Sequence, residues 1–128
     1  MKTAFLVKSP RYSKKIFSAS DKSLLKELSD ITKDITSDFE EYRFYLAAEK
    51  IYQYVWHRFA DVIIEESKPI LAGSDAKAKL SRQQTLIAIL KQVITMLHPF
   101  MPFITEEIYQ TLPIKNKNYL IIEPWPKT

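Results

Sequence analysis

A chain of 128 residues is long enough to bury the core of one domain and too short for two ordinary ones. With a single glycine it has no glycine-rich phosphate loop of the dinucleotide or P-loop kind, and with no cysteine it has neither a disulfide framework nor a thiolate zinc site. The net charge of +4 is uneven: residues 1–26 carry seven basic residues against one acid, a net +6, which leaves twelve against fourteen, a net −2, for the rest.

In chain order, residues 1–20 form a basic N-terminal segment, with Ala4–Val7 a short β-like run before Ser9-Pro10. Ser20 is suited to N-cap the first helix, and Asp21 adds favourable negative charge to its first turn. Leu24, Leu28, Ile31, Ile35 and Phe39 recur at steps of three and four and define one apolar face, with Lys26, Asp30, Lys33 and Asp34 off it. The phase shifts around Glu40–Arg43, which predicts a break there without Gly or Pro. A second helix carries Phe44, Ala48, Ile51, Val55, Phe59 and Val62 beside Tyr45, Tyr52, Trp56 and Ile63, a face wide enough for two partners. Ser67-Lys68-Pro69 is expected to end or kink it.

Residues 72–78 read as a loop. A third helix follows with Leu80, Ile87, Leu90, Ile94 and Leu97 inward. Pro99 disfavours α geometry at His98 and closes that helix. Pro102 opens a fourth, where its missing N–H would be unpaired in any case. Ile104, Ile108 and Leu112 face inward from it, with Glu106 and Glu107 near its positive end. After a turn, Tyr119–Ile122 reads as a short strand, and Pro124-Trp125-Pro126 as a packed cap. The sum is an all-α antiparallel bundle of about four helices over 21–113, with a short β-like appendage over 114–128.

No reaction chemistry assembles from these residues. His57, Asp61 and Glu65 are spaced by four, as metal ligands or as a solvated polar stripe; no second His-bearing helix segment completes a metal site, so none is expected. His98 reads as a helix-end residue rather than a base. Glu106 and Glu107 are adjacent on a helix and point about 100° apart, so they do not share an acid–base site; pairing of one of them with Arg43 is expected instead. Tyr45, Tyr52 and Trp56 suit core or interface packing, with base stacking the alternative. The basic arm suits a polyanion, with Arg11, Lys14, Lys15, Lys22 and Lys26 as phosphate-contact candidates on charge alone. No apolar run approaches the ~20 residues of a membrane span, and Met1–Phe17 lacks a secretory h-region, so a cytoplasmic, membrane-free monomer is expected.

LHPFMPFITEEIYQTLP, Leu97–Pro113, closely resembles the stretch near the end of the anticodon-binding helical domain of class I aminoacyl-tRNA synthetases. The His-Pro form looks most like the valine branch; leucine and isoleucine enzymes usually show Ala-Pro there. EYRFYLAAEKIYQYVWHRFADVIIEESKP, Glu41–Pro69, is similar to the family's long helix, Asp21–Leu28 to the helix entry before it, and LIIEPWPK to the ending of valine enzymes. The resemblance covers about residues 21–127. It implies an anticodon stem-loop as partner and a parent enzyme that attaches valine to its tRNA with ATP and Mg²⁺. It also implies that Pro99 and Pro102 set the angle between helices three and four. Two features depart from the family. KKIFSAS stands where an earlier helix rich in Asn-Lys-Leu-Trp residues normally lies, and the catalytic His-x-Gly-His and Lys-Met-Ser-Lys-Ser signatures are absent, Tyr12-Ser13-Lys14-Lys15 being no substitute. The alternatives are a stand-alone helical interaction module, or the same domain from an isoleucine, leucine or methionine enzyme.

Overall fold

In the computed structural model, the structure describes residues 18–114 and 117–126. The expected Ala4–Val7 run, Arg11, Lys14 and Lys15 lie outside the described residues. The first helix, α1, spans Ala19–Glu40. The second, α2, is continuous and in three parts: α-helical Phe44–Tyr52, π-helical Gln53–Ile63 and α-helical Ile64–Ala72. Helix α3 spans Ala76–Leu97, and α4 spans Pro102–Thr111. Asp21 meets Arg82 and Thr32 meets Gln92, so α1 and α3 run parallel. Glu27 meets Arg58 and Asp38 meets Lys50, so α2 runs against both. The all-α bundle expected from periodicity is the fold.

The principal core joins Leu24, Leu28 and Ile35 of α1, Ala47, Ile51, Tyr54 and Ile63 of α2, and Ile89, Val93 and Met96 of α3. A smaller one joins Ile94 of α3 to Tyr109, Leu112, Ile114 and Leu120. Helix α3 thus buries two faces, and the expected stripe of Ile87, Leu90 and Ile94 is the one turned to α4 and the C-terminal segment. Its other face begins with Ser81, Arg82 and Thr85, which are polar and buried.

The backbone and core depart from the expectations in several places. Helix α2 passes through Pro69 to Ala72 without ending. Its π-helical segment, bonded i→i+5, rotates the inward face, so that Ile63 is fully buried nine residues after Tyr54, while Phe59 only flanks the core. A 3.6-residue period cannot anticipate that rotation. His98 keeps right-handed helical angles (φ −53°, ψ −42°) although Pro99 follows; α3 stops because Pro99 has no N–H to donate, and both Phe100 N and Met101 N turn back to the Leu97 carbonyl. On α4, Leu112 is buried and Ile108 packs on the smaller core as expected, but Ile104 is exposed and Thr105 and Tyr109 take the inner positions. Finally, no strand forms at the C-terminus. Leu120–Ile122 is a single 3₁₀ turn with Leu120 buried, and Glu106 Oε1 accepts from Leu120 N at 2.8 Å. That bond goes to a side chain, and no neighbouring strand exists among the described residues to form a ladder.

The α1–α2 corner falls where the phase shift predicts. Tyr42 takes φ +62°, a left-handed conformation costly for a side chain with a Cβ. Asp38, almost wholly buried, clamps the corner: its carboxylate accepts from Arg43 at 3.0 and 3.1 Å and pairs with Lys50 at 2.7 Å. At the far edge Trp125 caps the bundle as expected, edge-on to Phe39 at 5.0 Å and donating from Nε1 to Thr36 Oγ1 at 2.7 Å.

Candidate functional site

The end of the bundle where α1 and α3 begin rests on a buried polar network. Asp21 and Arg82 are 2% and 4% exposed, and Arg82 Nε donates to Asp21 Oδ1 at 2.7 Å. The other guanidinium nitrogens reach Ser67 Oγ at 2.9 Å and Ser20 Oγ at 3.2 Å, and Ser81 Oγ also donates to Asp21. Ser67 passes its own proton to the Ile63 carbonyl at 2.6 Å. A desolvated ion pair is tolerable only when its remaining hydrogen-bonding groups are satisfied, and here three helices satisfy them. Ser18, not Ser20, is the N-cap: its Oγ accepts from Asp21 N at 3.2 Å, and its N–H donates to Ser81 Oγ at 3.0 Å.

The surface over that network carries both signs, with exposed Glu66 and Asp75 beside three lysines. Lys22 and Lys77 are exposed, Lys79 is half-buried, and none of the three has an ion pair among the described residues. The parallel N-termini of α1 and α3 add their positive partial charges there. Lys33 lies further along α1, also exposed. Lys26 pairs with Asp30 at 3.1 Å, but both side chains are mostly exposed, so the pair is weak and easily exchanged for another anion.

Most other cations are committed. Arg58 is held by Glu27 at 2.7 Å, a hydrogen bond that raises its already high pKa. Lys50 is held by Asp38 and Asp34, and its pKa is raised, first by the hydrogen bond to Asp38. Lys91 pairs with Glu123, and Lys117 caps the carbonyls of Tyr109, Gln110 and Leu112 at the end of α4. Of the described cations without an ion pair, Lys22, Lys77 and Lys79 lie about the N-termini of α1 and α3, and Lys33 lies further along α1.

The remaining sequence candidates are scattered. Arg43 pairs with Asp38 and Glu41 rather than with Glu106 or Glu107, because the chain doubles back at Tyr42 and brings Asp38 under the guanidinium. Glu106 anchors Leu120 N and Gln110, and Glu107 is exposed. His98 Nδ1 lies 2.8 Å from Thr105 Oγ1, whose hydroxyl donates to the Met101 carbonyl, so the imidazole ties the end of α3 to the first turn of α4 across Pro99 and Pro102. Trp56 is 57% exposed, a surface residue rather than a core one. His57, Asp61 and Glu65 face solvent, and no group of three or more His, Asp or Glu placed to hold a metal occurs among the described residues.

Sequence reasoning missed Asp38, Arg82, Ser81 and Ser67 because it counted only apolar residues as inward. Spacing was the available signal: Asp21, Leu24, Leu28, Thr32, Ile35 and Asp38 share one helical face, as do Arg82, Thr85, Ile89, Val93 and Met96.

A helical block tied by buried ion pairs, with exposed lysines about the N-termini of α1 and α3, has the form of a helical recognition domain. More particularly, the chain belongs to the family of anticodon-binding domains of tRNA ligases, whose model matches residues 21–128. It is 39% identical over 109 residues to the valine–tRNA ligase of Bdellovibrio bacteriovorus, which covers 85% of this chain and 12% of that protein. It is 43% identical over 94 residues to that of Syntrophotalea carbinolica, 73% of this chain and 10% of the relative. With that of Carboxydothermus hydrogenoformans it shares 39% over 108 residues, 84% and 12%. The chain thus spans about an eighth of the length of the curated relatives it matches.

Proposed function

We propose that this chain holds the anticodon arm of a tRNA, that of valine by its relatives' names, while a separate catalytic domain using ATP and Mg²⁺ carries out aminoacylation. Family membership carries the reading. Lys22, Lys77 and Lys79 at one end, Lys26 and Lys33 further along α1, and Arg11, Lys14 and Lys15 of the basic N-terminal sequence are the phosphate contacts. Ammonium and guanidinium groups neutralise the backbone of the stem-loop, and a rigid bundle recognises its shape. On this reading the domain works in the cytoplasm as a single copy per tRNA. No described helix is long and apolar enough to cross a membrane.

Titration with valine tRNA and with other tRNAs at several salt concentrations tests this. Binding is expected to weaken with salt as if about three to six phosphates were contacted, at roughly −0.7 to −0.9 in log–log slope for each. Reversing Lys22, Lys77 and Lys79 to Glu is expected to flatten that slope by about two to three. Salt-insensitive or undetectable binding would overturn the RNA role.

A further inference from the structure

Toward the opposite end, one face of the bundle is apolar. Between α2 and the end of α3 lies a groove of about 310 Å³ walled by Ala48, Tyr52, Val55, Trp56, Leu97 and Met101. Its aromatic edge extends over exposed Tyr42, Phe44 and Tyr45. Soluble surfaces scatter such residues singly; a contiguous set marks a contact.

The shape selects the occupant. Ala48, Tyr52, Val55 and Trp56 form a ridge at helical steps, the Leu97–Met101 corner forms the other, and small Ala48 leaves room between them, which is the form of a seat for a third helix. A small molecule would need convergent polar groups, and these walls offer only the Tyr52 hydroxyl and the Trp56 indole N–H. The charge excludes a phosphate backbone. Glu49, next to Ala48 on α2, is in no ion pair among the described residues, while Lys50 of the same helix is spent on Asp34 and Asp38. An aliphatic ridge with Lys or Arg on its flanks is complementary to that edge.

The length of the relatives gives the source. The chain matches 12% of the Bdellovibrio bacteriovorus ligase, so nearly all of that polypeptide lies outside the matched segment. We infer that the α2–α3 groove docks a basic-flanked amphipathic helix of the ligase body, on the end of the bundle opposite the lysines. The inference rests on the family reading and not on RNA binding.

The probe is the Bdellovibrio bacteriovorus valine–tRNA ligase with its matching segment deleted, checked for a cooperative melt and added to the full 128-residue chain. One-to-one association is expected, with a blue shift of tryptophan fluorescence. Trp56→Glu is expected to weaken it at least about tenfold, while the thermal melt of the chain and its tRNA titration stay unchanged. Tyr52→Glu serves as an independent second variant. Four results overturn the proposal: no association with the folded probe; association indifferent to both variants; self-association of the chain that Trp56→Glu abolishes; or tRNA affinity that falls with Trp56→Glu. Loss of tRNA binding with docking intact would sink the RNA reading alone, and the reverse result would sink this one alone.

Discussion

Arg82→Met tests the buried network directly. Met keeps much of the length of the side chain and removes the charge, so Asp21, 2% exposed, loses its guanidinium partner, and Ser20 loses a donor. Breaking a buried pair by removing one member costs about 3–5 kcal/mol, because the remaining charge stays desolvated without a counterion. For a domain of this size each kcal/mol moves the midpoint by about 3–5 °C, so Tm is expected to fall by roughly 10–20 °C. Asp21→Leu combined with Arg82→Met removes both charges, and is expected to regain most of the loss, since paired apolar replacements are often close to neutral. Far-UV circular dichroism with heat and urea measures all three variants, and an unchanged m-value shows that the two-state comparison is sound. A cost below about 1 kcal/mol for the single variant, or a double variant worse than the single, would refute the claim that Asp21 depends on Arg82.

Tyr54 is 3% exposed and its hydroxyl has no hydrogen-bond partner among the described residues, and burial pushes its pKa up; Tyr54→Phe is expected to be neutral or to stabilise by up to about 1 kcal/mol in urea titration, and a clear loss would reveal a hidden partner. Tyr42→Gly relieves a left-handed residue and is expected to add about 1 kcal/mol, net of its lost edge contact with Phe44, whereas a lower Tm would show that the corner is unstrained. The hydrogen bond from Lys50, and then that from Arg43, hold Asp38 below the usual carboxylate range, while Asp38 and then Asp34 hold Lys50 above the usual ammonium range. Stability from the lowered acid is present above about pH 4 and lost as pH falls through its folded value; stability from the raised amine is present below about pH 10.4 and lost as pH rises through its own. Lys50→Met is therefore expected to flatten both limbs of a stability–pH curve, and an unaltered alkaline limb would remove Lys50 from the account.

The helices were legible because their apolar residues repeat at helical steps and their interruptions are chemically marked. The α1–α2 break showed as a loss of phase, and Pro102 as a first-turn residue. Three things were illegible for separate reasons. The π-helical Gln53–Ile63 changes the period itself, so a fixed-period count centres the face on Phe59 and Val62, which are only partly buried, whereas Tyr54 and Ile63 hold the core. The inner ends of α1 and α3 are lined with Asp21, Asp38, Ser81 and Arg82, whose burial depends on partners distant in sequence. The residues of Tyr119–Ile122 have strand propensity, but pairing needs a neighbour, and a 3₁₀ turn against α4 is what the local contacts provide. The candidate site divided in the same way. Lys22 and Lys26 were visible as charge, whereas Lys77 and Lys79 acquire meaning only once α3 is seen to start beside α1.

The two polar clamps explain why this architecture suits recognition at a distance. Asp21–Arg82 ties α1, α2 and α3 at one end, and Asp38 with Arg43 and Lys50 ties α1 to α2 at the other. Between them α1 runs from Asp21 to Asp38, about 26 Å at roughly 1.5 Å per residue. A pair of helices pinned only by apolar contact can slide by part of a turn at modest cost, because one aliphatic ridge resembles the next. Buried charges have no equivalent alternative register, since a shift of a few ångströms leaves each without its counterion. The lysine end and the apolar groove are therefore held at a fixed separation and a fixed rotation about the bundle axis. A nucleic acid held at one end is then oriented with respect to whatever docks at the other without any conformational change in between, and mutations at either clamp should loosen that orientation before they abolish either contact.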